Sequence, residues 1–196
     1  MPNLYGATIE KDLATYRELF ESEDFKPDEL KIYPTSVIKN TLLYKYFEEG
    51  KYKPYSTSEL INLIADFMEM TPEYCRLTRI IRDIPSQEIE VGNKTTNLRE
   101  LVEKKLKADN RENPNIRARE IKSKNIRFKD LKLDTIKYKT SVSTEYFLQY
   151  ITRKREIAGF LRLSIPDVNL TPTLSPPKNG ASIHGEEMLP FLKYYN

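Results

Sequence analysis

The pentapeptide Arg111-Glu112-Asn113-Pro114-Asn115 divides the chain into two textures, and that division limits the folds open to it. Before it, stretches with helical spacing of apolar residues alternate with short runs of strand character, the pattern of an α/β layer with parallel strands. After it, two-residue alternation dominates over 115–122, 131–139, 144–152 and 156–164. The last two runs, "TEYFLQYIT" and "EIAGFLRLSI", are joined by Arg153-Lys154-Arg155 and predict a hairpin with a charged turn. The expected boundary lies at 110–115, and no internal repeat is visible.

Within the first half, Thr8 is placed to cap a helix running to about residue 22, with Leu13, Tyr16 and Phe20 on one face. A strand at 29–33 follows, closed by Pro34. Side chains alternate along a strand, so Lys31 and Tyr33 share one face, and Leu30 and Ile32 the other. The polar face suits either plain solvent or the wall of a polar cavity. Residues 38–49 read as a helix stopped by Gly50. The sharpest start signal is Ser56-Thr57-Ser58-Glu59, a capping box ahead of the apolar face Leu60, Ile61, Ile64, Phe67 and Met68. "YCRLTRIIR" (74–82) predicts a strand with Arg76, Thr78, Ile80 and Arg82 on one side and Cys75, Leu77, Arg79 and Ile81 on the other. A loop containing Gly92 and Asn93 then leads to a helix carrying Leu98, Leu101, Val102 and Leu106.

A single cysteine, Cys75, excludes an internal disulfide and any multi-cysteine metal site built from this chain. It alternates inward with Leu77 and Ile81, which predicts a buried thiol rather than a nucleophile. No run approaches the ~20 apolar residues of a bilayer span, and the N-terminus has no signal-peptide pattern, so the expected location is cytoplasmic. Charge is uneven. Residues 1–30 carry eight acidic against three basic side chains, whereas residues 99–140 carry fourteen Lys/Arg against seven Asp/Glu. Such a basic stretch suits a polyphosphate partner such as RNA, and equally a solvated lysine-rich surface. Arg117 and Arg119 in "IRAREIK" share a face if the segment is a strand, which suits phosphate recognition or internal ion pairs. The accompanying tyrosines Tyr52, Tyr55, Tyr138, Tyr146 and Tyr150 suit base stacking or simple straddling of core and solvent. His184 has no second histidine with which to build a zinc site or a relay. The sequence has no phosphate-binding glycine loop and no nucleophile elbow.

Longer strings carry a resemblance: "MPNL" (1–4), "DELKIYPTSVIKNTLLYKYFEEGKYKPYSTSELINLIADF" (28–67), "RIIRDIP" (79–85), "NLRE" (97–100), "IRAREI" (116–121) and "GFLRL" (159–163). In this order and spacing they resemble the catalytic acetyltransferase subunit family of Elongator, which joins a radical S-adenosylmethionine domain to a GNAT-type acetyltransferase domain. The resemblance implies carboxymethylation of C5 of the tRNA wobble uridine, with a 4Fe-4S cluster, S-adenosyl-L-methionine and acetyl-CoA as the family's cofactors. It places residues 1–95 in the C-terminal part of a radical SAM partial (β/α) barrel. Residues 96–125 become a connecting region, and 126–196 the start of a mixed α+β GNAT domain. Lys31 and Tyr33 then line the barrel lumen as catalytic candidates. Arg79, Arg82, Lys94, Arg99, Arg117, Arg119 and Lys122 become candidate phosphate contacts to tRNA.

Departures from the family qualify the expectation. The cluster-binding cysteines of the family precede "MPNL", the acetyl-CoA pyrophosphate loop follows the stretch equivalent to His184-Gly185, and the family's zinc-binding cysteines correspond here to Asn113, Asn115 and Ala118. The expectation is therefore that this chain by itself binds no metal or cofactor and is inactive alone, working with complementary fragments or other Elongator subunits. The alternative is a non-catalytic tRNA-binding or scaffolding remnant.

Overall fold

In the computed structural model the described residues are 1–81, 84–122 and 125–167. They fall into two units, Met1–Lys124 and Asn125–Asn196.

The first unit begins with α1 (Ile9–Glu21), capped by the Thr8 hydroxyl as expected. β1 (Glu29–Lys31) and β3 (Arg76–Arg79) pair in parallel, and the chain crosses between them through β2 (Val37–Ile38), α2 (Leu42–Glu48) and α3 (Thr57–Met70). Parallel neighbours require a crossover of this kind. β4 (Ile89–Val91) pairs antiparallel with β2, and α4 (Leu98–Ala108) and α5 (Ile116–Arg119) complete the unit.

α3 starts where the capping box places it. The Ser56 hydroxyl accepts from Glu59 N at 3.2 Å, and Ser56 N donates to the Glu59 carboxylate at 2.8 Å. Two orphan amides of the first turn are thereby satisfied. Replacing Ser56 with alanine is expected to lower stability by about 1 kcal/mol in a urea titration; an unchanged midpoint would show that the cap contributes nothing. Along α3, Leu60, Leu63, Ile64, Phe67 and Met68 are buried against Leu98, Val102 and Leu106 of α4 and against Ile32, Leu77 and Ile80 of the sheet. Tyr16 of α1 closes the layer, stacked on Phe67 at 4.0 Å.

Three expectations need correction. The segment 115–122 is not a strand: Ile116–Arg119 is a short helix, so Arg117 and Arg119 do not share a pleated face. Ile116 is fully buried, and its N–H goes to Cys75 O at 3.1 Å, a pairing open to a helical turn laid across the strand end. The 38–49 helix begins only at Leu42, because the Thr41 hydroxyl caps it by accepting from Tyr44 N at 3.2 Å. Val37 and Ile38 instead pair with β4. The strand at 29–33 ends at Lys31, leaving Tyr33 beyond it.

The alternation expected for 74–82 also breaks. Glu29 pairs with Arg76 and Lys31 with Arg79, so three steps along β3 match two along β1. That extra residue is a bulge, and it reverses the side chains that follow. Arg79 becomes exposed and Ile80 is buried to 2% exposure, the opposite of strict alternation.

The N-terminal tetrapeptide is locked to the loop after β1. Thr35 donates to Pro2 O through its N–H at 3.1 Å and its hydroxyl at 2.9 Å. Asn3 N donates to the Asp12 carboxylate at 2.7 Å, and Tyr52 OH donates to Asn3 O at 2.8 Å. Burial, reinforced by the Asp12 charge, pushes the Tyr52 phenol from 10.0 up to about 12. Above pH 10 the unfolded chain has released a proton that the folded chain keeps, so stability falls as pH rises through that window. A Tyr52→Phe variant should lose less stability between pH 10 and 12 than the parent; an equal loss would assign the alkaline transition elsewhere.

In the second unit, β5 (Lys132–Lys139), β6 (Ser143–Ile151) and β7 (Ile157–Pro166) form one antiparallel sheet in chain order, with the expected 144–164 hairpin as its second half. Phe147 and Gln149 are fully buried on one face, where Gln149 donates to Asp134 at 3.0 Å and the Arg162 guanidinium lies 4.9 Å from the Phe147 ring centre. Leu133, Tyr150, Leu161 and Ile165 stand exposed on the other.

Candidate functional site

Ligands of open parallel sheets bind beyond the carboxyl ends of the strands, where the loops diverge. Here the loops after β1 and β3 enclose a cleft of about 120 Å³. Pro34 and Ser36 line it from the first loop, Ile81 and Ile84 from the second, and Asn93, Lys94 and Thr96 from the approach to α4. Gly92 lets that approach close. At its φ of +119° a side chain would be strained, and a Cβ would stand 3.4 Å from Thr35 O and Ser36 Cα. Asn93, 7% exposed, holds the turn by donating to Thr95 O and accepting from Thr95 N. Lys94, the one charged side chain lining the cleft among the described residues, is exposed.

Beside the cleft, arginines gather along the outer edge of β3. Arg99 donates to Leu77 O at 2.6 Å and pairs with Glu103 at 3.5 Å. Arg117 donates to Thr78 O at 2.8 Å, and Arg76 pairs with Glu120. The Arg99 guanidinium is held below its ordinary range, by burial first and then by the positive charge of Arg117. Glu103 opposes that shift and Arg76 adds to it. Arg119 is turned inward. Its side chain is 9% exposed and donates to Pro114 O at 2.7 Å and Glu73 O at 2.8 Å, with the Glu73 carboxylate 3.8 Å away.

The structure thus brings Arg99 and Arg117 together on consecutive carbonyls of β3 and separates Arg119 from them. Lys31 and Arg79 are cross-strand partners, both exposed. Tyr33 is half-buried past the strand end, and Lys122 is exposed after α5. Arg82 and His184 lie outside the described residues. Arg76, Ser36 and Thr96 were not singled out by sequence reasoning. The signal that finds them is topological: two strands recognised as parallel neighbours would have pointed to the loops at their carboxyl ends.

An iron–sulfur cluster requires several cysteine thiolates. The one cysteine, Cys75, is fully buried in the core, and among the described residues no three His, Cys, Asp or Glu side chains come together as a metal requires. These residues do not fit a cluster, and the chemistry below is not routed through one. The cleft is likewise below the ~300 Å³ of a pocket that encloses a whole cofactor; it fits a single group. The stretch around His184-Gly185, which the acetyl-CoA loop is expected to follow, lies outside the described residues.

Comparison with known proteins bears directly on this arrangement. The Radical_SAM C-terminal domain family matches residues 27–108, the span that contains the parallel pair, the cleft and α4. The tRNA uridine(34) acetyltransferase of Dehalococcoides mccartyi is 38% identical over 173 residues, which are 87% of this chain and 38% of that protein. The protein of the same name from Methanocaldococcus jannaschii is 40% identical over 173 residues, 85% of this chain and 32% of its own length. Elongator complex protein 3 of Homo sapiens is 39% identical over 121 residues, covering 62% of this chain and 22% of that protein. The solved structure of Methanocaldococcus infernus Elp3 with an N-terminal deletion superposes with a TM-score of 0.79 at 38% identity. That superposition covers 85% of this chain and 41% of the other. The fold and the matched span define a mixed α/β chain carrying a radical SAM C-terminal domain. Over the span it shares with these relatives, the chain belongs to the Elongator catalytic-subunit family, that of the tRNA uridine(34) acetyltransferases and Elongator complex protein 3. It spans less than half the length of each of these relatives. Among the described residues no helix is long and apolar enough to cross a membrane.

Proposed function

We propose that this chain forms part of a cytoplasmic enzyme that modifies uridine 34, the wobble base of tRNA, by C5 carboxymethylation using acetyl-CoA and radical S-adenosylmethionine chemistry. The observation that carries this reading is the parallel β1–β3 pair opening on a small cleft in which Ser36, Asn93, Lys94 and Thr96 stand among isoleucines, within a chain that matches an archaeal Elp3 at a TM-score of 0.79. In this reading residues 1–95 are the C-terminal part of the radical domain's partial barrel, 96–125 connect, and 126–196 begin a GNAT-type domain. The cluster, S-adenosylmethionine and acetyl-CoA are held outside the described residues, by other segments of the enzyme or other Elongator subunits.

The chain's own groups then divide by exposure. Lys31, on the face turned away from the helices and beside Arg79, is placed to hold an anionic group or polarise a carbonyl, with Tyr33 at the strand end. Arg79, Lys94, Arg117 and Lys122 meet tRNA phosphates, since their side chains reach solvent. Arg82 belongs to the same proposed set. Arg99 and Arg119, engaged on main-chain carbonyls, act as positioning residues that hold α4 and the segment around α5 against β3.

The test is a titration of the full chain with tRNA at two salt concentrations. Affinity should fall steeply with salt, and Lys94→Glu and Arg117→Glu should each weaken binding by roughly three- to tenfold at low salt. Binding that is absent at low salt removes the reading. The exposed Lys94 and Arg117 fit one second reading as well, a non-catalytic tRNA-binding or scaffolding member of the family, in which tRNA binds but uridine 34 is unaffected by loss of the chain.

A further inference from the structure

Asp12 does something that its place in the first turn of α1 does not explain. An acid there ordinarily serves its own helix end. The Asp12 carboxylate instead reaches two other segments. One of its oxygens accepts from Asn3 N at 2.7 Å and from the Tyr55 hydroxyl at 3.0 Å, nine and forty-three residues away. Asn3 is 5% exposed and takes a φ of +64°, a left-handed turn that asparagine tolerates better than most side chains. Around that turn the chain bonds in three directions. Asn3 N donates to Asp12, Asn3 O accepts from the Tyr52 hydroxyl at 2.8 Å, and Pro2 O accepts from both the N–H and the hydroxyl of Thr35. Thr35 stands between Pro34 and Ser36, which line the cleft, and its carbonyl oxygen lies against Gly92.

We propose that Asp12 is a positioning residue of the cleft: through the Pro2–Asn3 peptide it fixes Thr35, and with Thr35 the wall that faces Lys94. Its geometry stands on these hydrogen bonds; its consequence for tRNA rests on the reading of Lys94 as a phosphate contact. The C=O of Pro2 and the N–H of Asn3 belong to one peptide unit, which is planar and stiff. Asp12 holds that plate by its N–H, and Thr35 is fastened to it by its C=O. From Asn3 N to Gly92 the path runs through main-chain atoms, so a displacement is passed on rather than absorbed by a rotating side chain. Removing the carboxylate frees one side of the plate. It also leaves the N–H of an almost fully buried residue without an acceptor, which costs more than the bond itself is worth.

Hydrogen exchange of the full chain tests the positioning. Asp12→Ala should speed exchange about tenfold at the amide of Thr35 and at that of Thr95, which Asn93 holds in the turn after Gly92. The amide of Ile64, fully buried in α3, exchanges through global unfolding and reads any general loss of stability separately. Asp12→Asn keeps an oxygen acceptor in the same place and should return Thr35 and Thr95 to within about twofold of the parent rates. tRNA binding supplies the functional arm. Asp12→Ala should weaken it by roughly threefold at low salt, and Lys94→Glu in that background should cost less than about twofold, because Lys94 is no longer held in place. Exchange at Thr35 and Thr95 that is unchanged in Asp12→Ala, or faster only in step with Ile64, overturns the proposal. So does an Asp12→Asn variant that behaves like Asp12→Ala, or a Lys94→Glu effect as large without the carboxylate as with it. A chain that binds no tRNA overturns the functional reading alone, and the exchange rates then decide the positioning.

Discussion

Replacing Phe67 with alanine should lower the unfolding free energy of the Met1–Lys124 unit by about 3–5 kcal/mol, the largest stability effect expected anywhere in the chain. Phe67 is 3% exposed, its ring lies 4.0 Å from that of Tyr16 at an angle of 8°, and it joins α1 to α3. Its loss removes the transfer free energy of a whole aromatic ring and leaves a cavity that α1 cannot fill without breaking the Tyr16–Thr71 hydroxyl pair at 2.8 Å. The comparison is Phe128→Ala, a 73% exposed ring in the second unit, which should shift stability by less than about 0.5 kcal/mol. Urea titrations read by tyrosine fluorescence and circular dichroism measure both. A Phe67→Ala loss below that of the Ser56 cap variant would mean that the α1–α3 contact is not where the core is anchored.

The second large effect separates two arginines that lie two residues apart. Arg119→Ala should destabilise the first unit by about 2–4 kcal/mol, because two main-chain carbonyls and the Glu73 carboxylate lose a charged donor in a largely dry setting. Arg117→Ala, at an exposed side chain with one carbonyl contact, should cost less than about 1 kcal/mol. In tRNA binding the order reverses: the Arg117 variant weakens it directly, and the Arg119 variant only as far as it unfolds the segment around α5. Equal stability losses for the two would show that both are structural, and the proposed contact set would shrink accordingly.

Much of this architecture was legible from local rules. The capping box at Ser56 and the apolar stripe after it located α3, because both signals act within one or two turns of helix. The parallel relation of the strands around residues 30 and 77 followed from the helices between them. The long alternations after residue 130 became β5, β6 and β7. What escaped were features decided by contacts distant in sequence. "IRAREIK" alternates like a strand, and only the buried Ile116 and its hydrogen bond to Cys75 O select a helical turn. β2 and β4 are two and three residues long, too short for any period to register. The β3 bulge exchanges the faces of Arg79 and Ile80, and no pattern within residues 74–82 announces it. The site was legible in kind more than in geometry. Charge clustering picked out Lys94, Arg99 and Arg117, but their roles differ by exposure and hydrogen-bond partner. Both depend on where β3 runs.

The most direct test of the functional reading is a nucleoside analysis of uridine 34 in tRNA from cells of the source organism with and without the intact gene for this chain. The reading predicts that C5-carboxymethyl-type derivatives of uridine 34 disappear when the gene is removed and return when it is restored. Uridine 34 carrying the same modifications at the same levels in both cells would contradict it.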